Sequence, residues 1–277
     1  MPMQTVTQAE KAAQFAALHA GPGAFVIGNP FDAGSARVLA GLGFPALATS
    51  SGACAAALGR RDGRVTREEA LAHARLIVGA CDLPVSADLE KGFGNDPAAA
   101  AETVRRAAEA GLVGCSIEDA SGDAAAPLFP AAQAIERVAA AAEAARGLPF
   151  RFMLTARTEN FLRGNPDLDD TIARLQAFAR AGADVLMAPG LPSLDAVRAV
   201  CRAVDRPVNF MAGLRGKSFT VAELEAAGVR RISLATSLYR AAITGVIDAA
   251  REVRAQGSFG YLERTIATPD LNAFLRD

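Results

Sequence analysis

The sequence predicts an α/β protein, a TIM-type (β/α)8 barrel in one domain, on three observations. Eight short β-prone apolar runs alternate from end to end with alanine-rich amphipathic stretches. One junction recurs: AEAGLVGCSIE, ARAGADVLMAP and EAAGVRRISLA each pass from a helix through a glycine stop into an apolar strand, and Gly111, Gly182 and Gly228 suit the left-handed residue that ends a helix. Eight such units in 277 residues match the repeat number and size of that barrel. The rival, a doubly wound open sheet, lacks its signature, because no strand runs into a Gly-x-Gly-x-x-Gly that opens a helix; GFG at residues 92–94 is too short to count.

Taken in order, residues 7–19 read as a leading helix. Strands are expected at 25–28, 46–49, 84–88, 113–118, 150–155, 184–188, 207–210 and 230–234, with helices at 66–79, 97–110, 131–145, 168–181, 194–204 and 221–227. Thr66 ahead of Arg67, Glu68 and Glu69 gives a cap and an acidic first turn, and Asp96-Pro97 sets a capping residue before a first-turn proline. Residues 238–256 form a long helix and 259–277 a polar–apolar tail. No Pro/Gly/Ser-rich linker divides the chain, so 1–277 is read as one barrel domain, with 238–277 as a helical extension for oligomer packing.

Composition narrows the chemistry. The net charge is −1 with pI about 6.2 and the basic residues are spread evenly, which argues against a nucleic-acid surface or an anionic-membrane patch. Apolar runs break well before the roughly 18 residues a membrane span needs. The opening MPMQTVTQAEKAAQF has no charged leader followed by an apolar stretch, so a cytoplasmic protein is expected. Cys54, Cys81, Cys115 and Cys201 lie far apart with no Cys-x-x-Cys, which excludes a Cys/His zinc cage, makes a disulfide framework improbable, and leaves them as buried small hydrophobes. His19 and His73 fall in helical segments and read as surface or packing residues. Lysine occurs only at Lys11, Lys91 and Lys217, so acid–base work falls to carboxylates, hydroxyls or metal-bound water.

In a parallel barrel, chemistry gathers where strands end. Those ends carry Asn29 and Asp32; Thr49, Ser50, Ser51 and Gly52; Asp88 and Glu90; Glu118 and Asp119; Arg157 and Glu159; and Asn209. Several carboxylates without a His/Cys cluster suit a hard cation held through oxygens and waters, Mg²⁺ first and Mn²⁺ in its place. Arg157 beside such a cation would grip an acidic substrate, and the Ser50-Ser51-Gly52 turn can offer hydroxyls and backbone N–H groups to an oxyanion. Plainer readings stand beside these: Arg157 as a neutraliser of Glu159, Ser50 and Ser51 as a helix cap, Glu90 as an ion-pair partner of Lys91, and Asp32 and Asp119 as capping or loop residues.

The stretches NPFDAGSARVLAGLGFPALATSSGACAAALGRRDG, LPVSADLEKGFGN, GCSIEDA, FMLTARTENFLRG, DLDDTIARLQAFARAGADVLMAPGL and GVRRISLATSLYRAA resemble, in order and over nearly the whole chain, the isocitrate lyase/phosphoenolpyruvate mutase superfamily, in its short 2-methylisocitrate lyase-like branch. The resemblance implies that Asp88 is the principal Mg²⁺ ligand, that Glu90 takes the second acidic place and that Glu118 holds metal-bound water. It implies that Ser50, Ser51 and Gly52 receive a 2-oxo acid carboxylate, that Arg157 binds substrate and that Asp62 stands near the metal; Asn209 is a looser substrate-binding match. It also implies a C-terminal helix exchanged between subunits and a homotetramer built as a dimer of dimers. The chain departs from the family's carbon–carbon lyases in one loop. Where they carry Lys-Arg-Cys-Gly-His after the fourth strand, with the cysteine as general acid, this sequence reads EDASGDAAAPLFP, and Cys115 lies back in the strand. After the sixth strand APGL replaces an acidic residue.

Ordinary isocitrate or methylisocitrate cleavage is therefore not expected. The reading reached is a Mg²⁺-dependent enzyme that cleaves a C–C bond of a small 2-oxo or 2-hydroxy dicarboxylate, as lyase or decarboxylase, through a stabilised enolate. The alternatives are C–P chemistry, as in phosphoenolpyruvate mutase or phosphonopyruvate hydrolase, and a 2-oxo acid binding protein without turnover.

Overall fold

A computed structural model describes residues 6–216 and 219–275. Lys217, residues 1–5 of the opening segment and residues 276–277 of the tail lie outside the described residues.

Eight strands, β1 (Phe25–Ile27), β2 (Leu47–Ala48), β3 (Val85–Asp88), β4 (Gly114–Glu118), β5 (Met153–Arg157), β6 (Val185–Met187), β7 (Val208–Met211) and β8 (Arg231–Ser233), pair in parallel in the order β1-β8-β7-β6-β5-β4-β3-β2. Gly28 closes the ring: its N–H donates to Ala46, its carbonyl accepts from Ala48, and it bridges in parallel to Leu47. The predicted barrel is present.

The helices are α1 (Gln8–Ala20), α2 (Ala33–Gly41), α3 (Ser51–Ala57), α4 (Arg67–Ala80), α5 (Pro97–Glu109), α6 (Ala131–Arg146), α7 (Leu168–Ala181), α8 (Leu194–Ala203), α9 (Val221–Ala226), α10 (Ser237–Gln256) and α11 (Thr268–Asn272). Thr66 caps α4 in a reciprocal box with Glu69, while Asp96 stands at the cap of α5 without a side-chain bond, the first-turn Pro97 sufficing there. The three glycine stops all have positive φ, reaching 109° at Gly182. Two helices were not expected from the sequence. Each is short and starts on a side-chain cap, Asp32 boxed with Ser35 for α2 and Ser50 for α3. The fifth strand also lies further along than its apolar run, because pairing begins only where Met153 meets Gly114 of β4.

Two cores result. The larger packs the outward faces of the strands against the helices, with alanines such as Ala101, Ala107, Ala141 and Ala145 letting α5 and α6 approach closely. The smaller fills the amino-terminal end of the barrel, where α1 acts as a plug: Phe15, fully buried, meets Ala12, Ile27, Val113, Met153 and Val185. Gly114 makes room for it, since a Cβ there would lie 3.1 Å from the Phe15 ring. With that end sealed, the barrel opens at the carboxyl ends of its strands. Beyond β8, α10 has no buried residue and exposes Val246 and Ile247, while the tail returns to lay Phe274 on Gly41.

Candidate active site

The strands that build the site reverse the usual barrel pattern near their carboxyl ends. In β3, β4, β5, β7 and β8 the outward positions are apolar: Val85 and Ala87, Cys115 and Ile117, Leu154 and Ala156, Val208 and Phe210, and Ile232. The alternate residues face inward and are largely polar, and Asp88, Ser116, Arg157, Asn209, Arg231 and Ser233 line one small open cavity.

Asp88 ends β3 and is held on both carboxylate oxygens. Oδ2 accepts from the Ser51 N–H (3.3 Å) and the Ser51 hydroxyl (3.0 Å), and Oδ1 accepts from the Glu90 N–H (3.2 Å). Glu90 adopts φ +50°, an uncommon value for a residue with a side chain, and is fixed there because its carbonyl also accepts from the Glu118 N–H. Arg157 ends β5 in the middle of the acids. Its guanidinium lies 3.7 Å from Asp88 and 3.6 Å from Glu118, and its Nε donates to Glu159, which is 1% exposed. Arg163, one turn beyond Glu159, reaches Glu159 at 3.3 Å and Glu118 at 3.7 Å.

This crowding sets the protonation. Burial, then the charges of Asp88 and Asp62, push the Glu90 carboxyl up to about 7. Burial also raises Glu118, against the pull of Arg157 and with the push of Glu159 and Asp88. Asp62 is raised by burial and by Asp88, and its carboxylate accepts from the Gly63 N–H. Burial works against the Arg157 charge, but Glu118, Glu159 and Asp88 together outweigh it and hold the guanidinium protonated. Among the described residues no three His, Cys, Asp or Glu side chains stand close enough to cage an ion. The donor set is instead one central carboxylate with acids at its margin, mutually repelling, which suits a hard cation that keeps most of its waters.

The structure thus brings Asp62, Asp88, Glu90, Glu118 and Arg157 together with Ser50, Ser51 and Gly52. Ser51 spends its hydroxyl on Asp88, and Ser50 caps Ala53 while sharing a contact with Thr236 at 3.3 Å. Gly52 is confined, since a Cβ there would meet Thr236 Oγ1 at 3.0 Å and Asp62 Oδ2 at 3.3 Å. Asn209 sits across the cavity, its amide donating to Ser233 Oγ and accepting from Arg231 Nε. Asp32 is a helix cap, and Asp119, 2% exposed, ties Thr158, the Glu159 N–H and Arg174 together behind the site. Arg163, Ser116, Arg231 and Ser233 were not singled out from the sequence. The signal for Arg163 was its spacing of four from Glu159, whereas Arg231 carries no local signal.

The loop between β4 and α6, where the family's lyases carry their general acid, is short and tied down. Ala120 and Leu128 form an antiparallel bridge, the Phe129 N–H donates to Asp119, and Lys91 Nζ reaches the Ser121 carbonyl. Cys115 is fully buried behind it, its thiol pushed far up by burial.

A closed parallel barrel with carboxylates and an arginine converging at its strand ends is the architecture of an enzyme. The family model for phosphoenolpyruvate phosphomutase matches residues 15–254, and the chain belongs to that family, within the PEP mutase/isocitrate lyase superfamily. A crystal structure from Burkholderia cenocepacia J2315, provisionally assigned as a lyase/mutase, superposes with TM-score 0.94 and 51% identity over 96% of each chain. Oxaloacetate decarboxylase of Chromohalobacter salexigens is 28% identical over 98% of this chain and 91% of its own. The 2-methylisocitrate lyase of Escherichia coli K12 is 32% identical over 72% of this chain and 69% of its own. The protein is a carbon–carbon lyase-type enzyme. No helix among the described residues is long and apolar enough to cross a membrane.

Proposed function

We propose that this chain is a divalent-cation-dependent decarboxylase of a small 2-oxo dicarboxylate, with oxaloacetate as the first substrate to test. The observation that carries the reading is the convergence of Asp88, Glu118 and Arg157 beside a β4–α6 loop without the cysteine, lysine or histidine of the lyase motif. Loss of carbon dioxide suits such a site. The C3–C4 bond breaks, its electron pair stays on C3, and the departing CO₂ needs neither a proton nor a base. The enolate left behind takes one proton at C3 from solvent, giving pyruvate. Cleavage that expels an anionic fragment would need the missing general acid.

Asp88 is the residue to hold Mg²⁺ or Mn²⁺ directly, with Glu90 and Glu118 on its waters and Asp62 at the margin. Such a cation supplies Lewis-acid stabilisation of the negative charge that develops on the 2-oxo oxygen. Ser51 keeps Asp88 in place. The N–H of Gly52, in the first turn of α3 and without an intrahelical partner, is available to a substrate carboxylate. Arg157 holds the acids in register and binds substrate. The family model's name keeps C–P chemistry as a second reading, which phosphorus NMR with phosphonopyruvate would reveal. The uncovered apolar positions of α10 support a helix exchanged between subunits in a homotetramer, and a stable monomer in sedimentation at micromolar concentration would refute it. The deciding assay follows pyruvate formation from oxaloacetate with Mg²⁺, above the metal-only blank. Asp88→Ala is expected to lose on the order of a hundredfold or more; full activity in that variant overturns the reading.

A further inference from the structure

Three charged side chains line the cavity: Asp88, Arg157 and Arg231. The first two pair with each other at 3.7 Å. Arg231 does not share in that balance. It is 5% exposed, and among the described residues its guanidinium meets neutral groups: Nε donates to Asn209 Oδ1 (2.8 Å), Nη2 to Thr155 Oγ1 (2.9 Å), and Nη1 lies 3.3 Å from His19 Nε2. The His19 ring is neutral, because burial and then the Arg231 charge drive it down to about 3. Its Nδ1–H is spent on the Phe15 carbonyl, so Nε2 is an acceptor. Burial lowers Arg231 to about 9, which leaves it cationic at neutral pH. A buried charge without a counter-charge is costly, and such charges are retained where something bound compensates them.

The hydrogen bonds give that charge a direction. Because Asn209 Oδ1 is taken by Arg231, the amide is fixed with Nδ2 towards Ser233, whose Oγ accepts at 3.0 Å. Ser233 has then accepted a hydrogen bond, and its own proton is free to point into the cavity. The acceptors of this wall are consumed and what it offers are donors: the second Nδ2–H of Asn209, the Ser233 hydroxyl and the spare N–H groups of Arg231. We propose that Asn209 and Ser233 receive one carboxylate of the substrate on the β7–β8 wall, with Arg231 as the positioning residue that sets their polarity. The proposal rests on the reading of the substrate as a small dicarboxylate.

The test uses malonate, an unreactive small dicarboxylate, titrated calorimetrically into the full chain with Mg²⁺ present, alongside thermal unfolding. Arg231→Met leaves a buried amide unpaired and is open to simple misfolding, so the variants sit at the other two positions. Ser233→Ala is expected to weaken binding about tenfold. Asn209→Asp gives Arg231 an internal counter-charge: binding is expected to fall about a hundredfold while the unfolding midpoint holds or rises. A merely structural amide would lose stability together with affinity. If oxaloacetate is turned over, Ser233→Ala raises KM and leaves kcat within about threefold. The relay is overturned if wild-type protein binds no malonate, if either variant binds within twofold of wild type, or if Asn209→Asp loses stability with affinity. Wild-type protein that binds malonate while the variants fail, yet consumes no 2-oxo acid, refutes the decarboxylase reading and leaves the relay standing.

Discussion

On one side of the cavity Asp88, Glu118 and Glu159 crowd around Arg157, and Arg163 closes the cluster from the edge. On the other side Arg231 is buried among Asn209, Thr155 and His19 without an acid in hydrogen-bonding contact. The β3–β5 wall carries more carboxylate than its cations neutralise; the β7–β8 wall carries a cation with no acid among the described residues in contact. Each wall is incomplete in the opposite sense. An arrangement of that kind orients a polar ligand before any catalytic group acts, because a cation is drawn to the acids and an anion to the donors. The two walls also differ in what holds them. Ion pairs fix the first, so its geometry depends on protonation, whereas neutral hydrogen bonds fix the second.

The largest effect is expected from breaking the ionic wall at its centre. Arg157→Met preserves the length of the side chain but leaves the buried Glu118 and Glu159 with only the half-exposed Arg163 between them. Removing one member of a buried pair costs about 3–5 kcal/mol, and turnover should fall by about a thousandfold, as one interaction with the reacting charge is lost together with the register of the acids. Chemical denaturation and pyruvate formation, measured on the same preparation, separate the two losses. Turnover within tenfold of wild type would mean that Arg157 serves only to neutralise Glu159.

A smaller effect, confined to the same wall, is expected from pH. Glu90 is raised to about 7 and Glu118 is raised as well, both first by burial. A carboxyl raised by folding contributes stability that is complete below the ordinary carboxylate range and is lost as pH climbs through the raised value. Metal-free protein should therefore lose several degrees of unfolding midpoint between pH 6 and 8, and Mg²⁺ should restore most of it at the upper end, where the acids are ionised. A metal-free midpoint that rises over this range would mean that these acids are already compensated within the fold.

The two walls were unequally legible in the sequence. GCSIE and SADLE place an acid one residue past an apolar position at a strand end, so Glu118 and Asp88 follow from alternation and barrel geometry alone. Thr66 with Glu69 and the three glycine stops likewise carry local signals that the structure repeats. Arg231 has no such local signal. It follows Arg230, whose side chain turns outward to the Gly21 and Gly23 carbonyls, and only closure of the ring decides that its neighbour points inward. The helix at α2 was missed for a related reason: AGSARVLAG is short and glycine-flanked, and the Asp32–Ser35 box with the burial of Ala36 and Leu39 supplies what propensity does not.

The smallest effect on activity is expected at a third arginine, which shows what a compensated buried cation looks like. Arg137 on α6 is 1% exposed and has no carboxylate in contact, as with Arg231, but its guanidinium donates to the carbonyls of Gly94 (3.0 Å), Asp96 (3.2 Å) and Lys91 and covers the Phe129 ring at 4.5 Å. Its donors meet good acceptors outside the cavity, so nothing bound is needed to complete it. Its work is to pin the β3–α5 loop that carries Glu90. Arg137→Met strands those carbonyls and should cost about 2–3 kcal/mol. Because only the margin of the cation site is loosened, the Mg²⁺ concentration for half-maximal activity should rise only a few-fold and malonate affinity should hold within about threefold. A large loss of malonate affinity in this variant would mean that the loop, and not the β7–β8 wall, is where the anion is received.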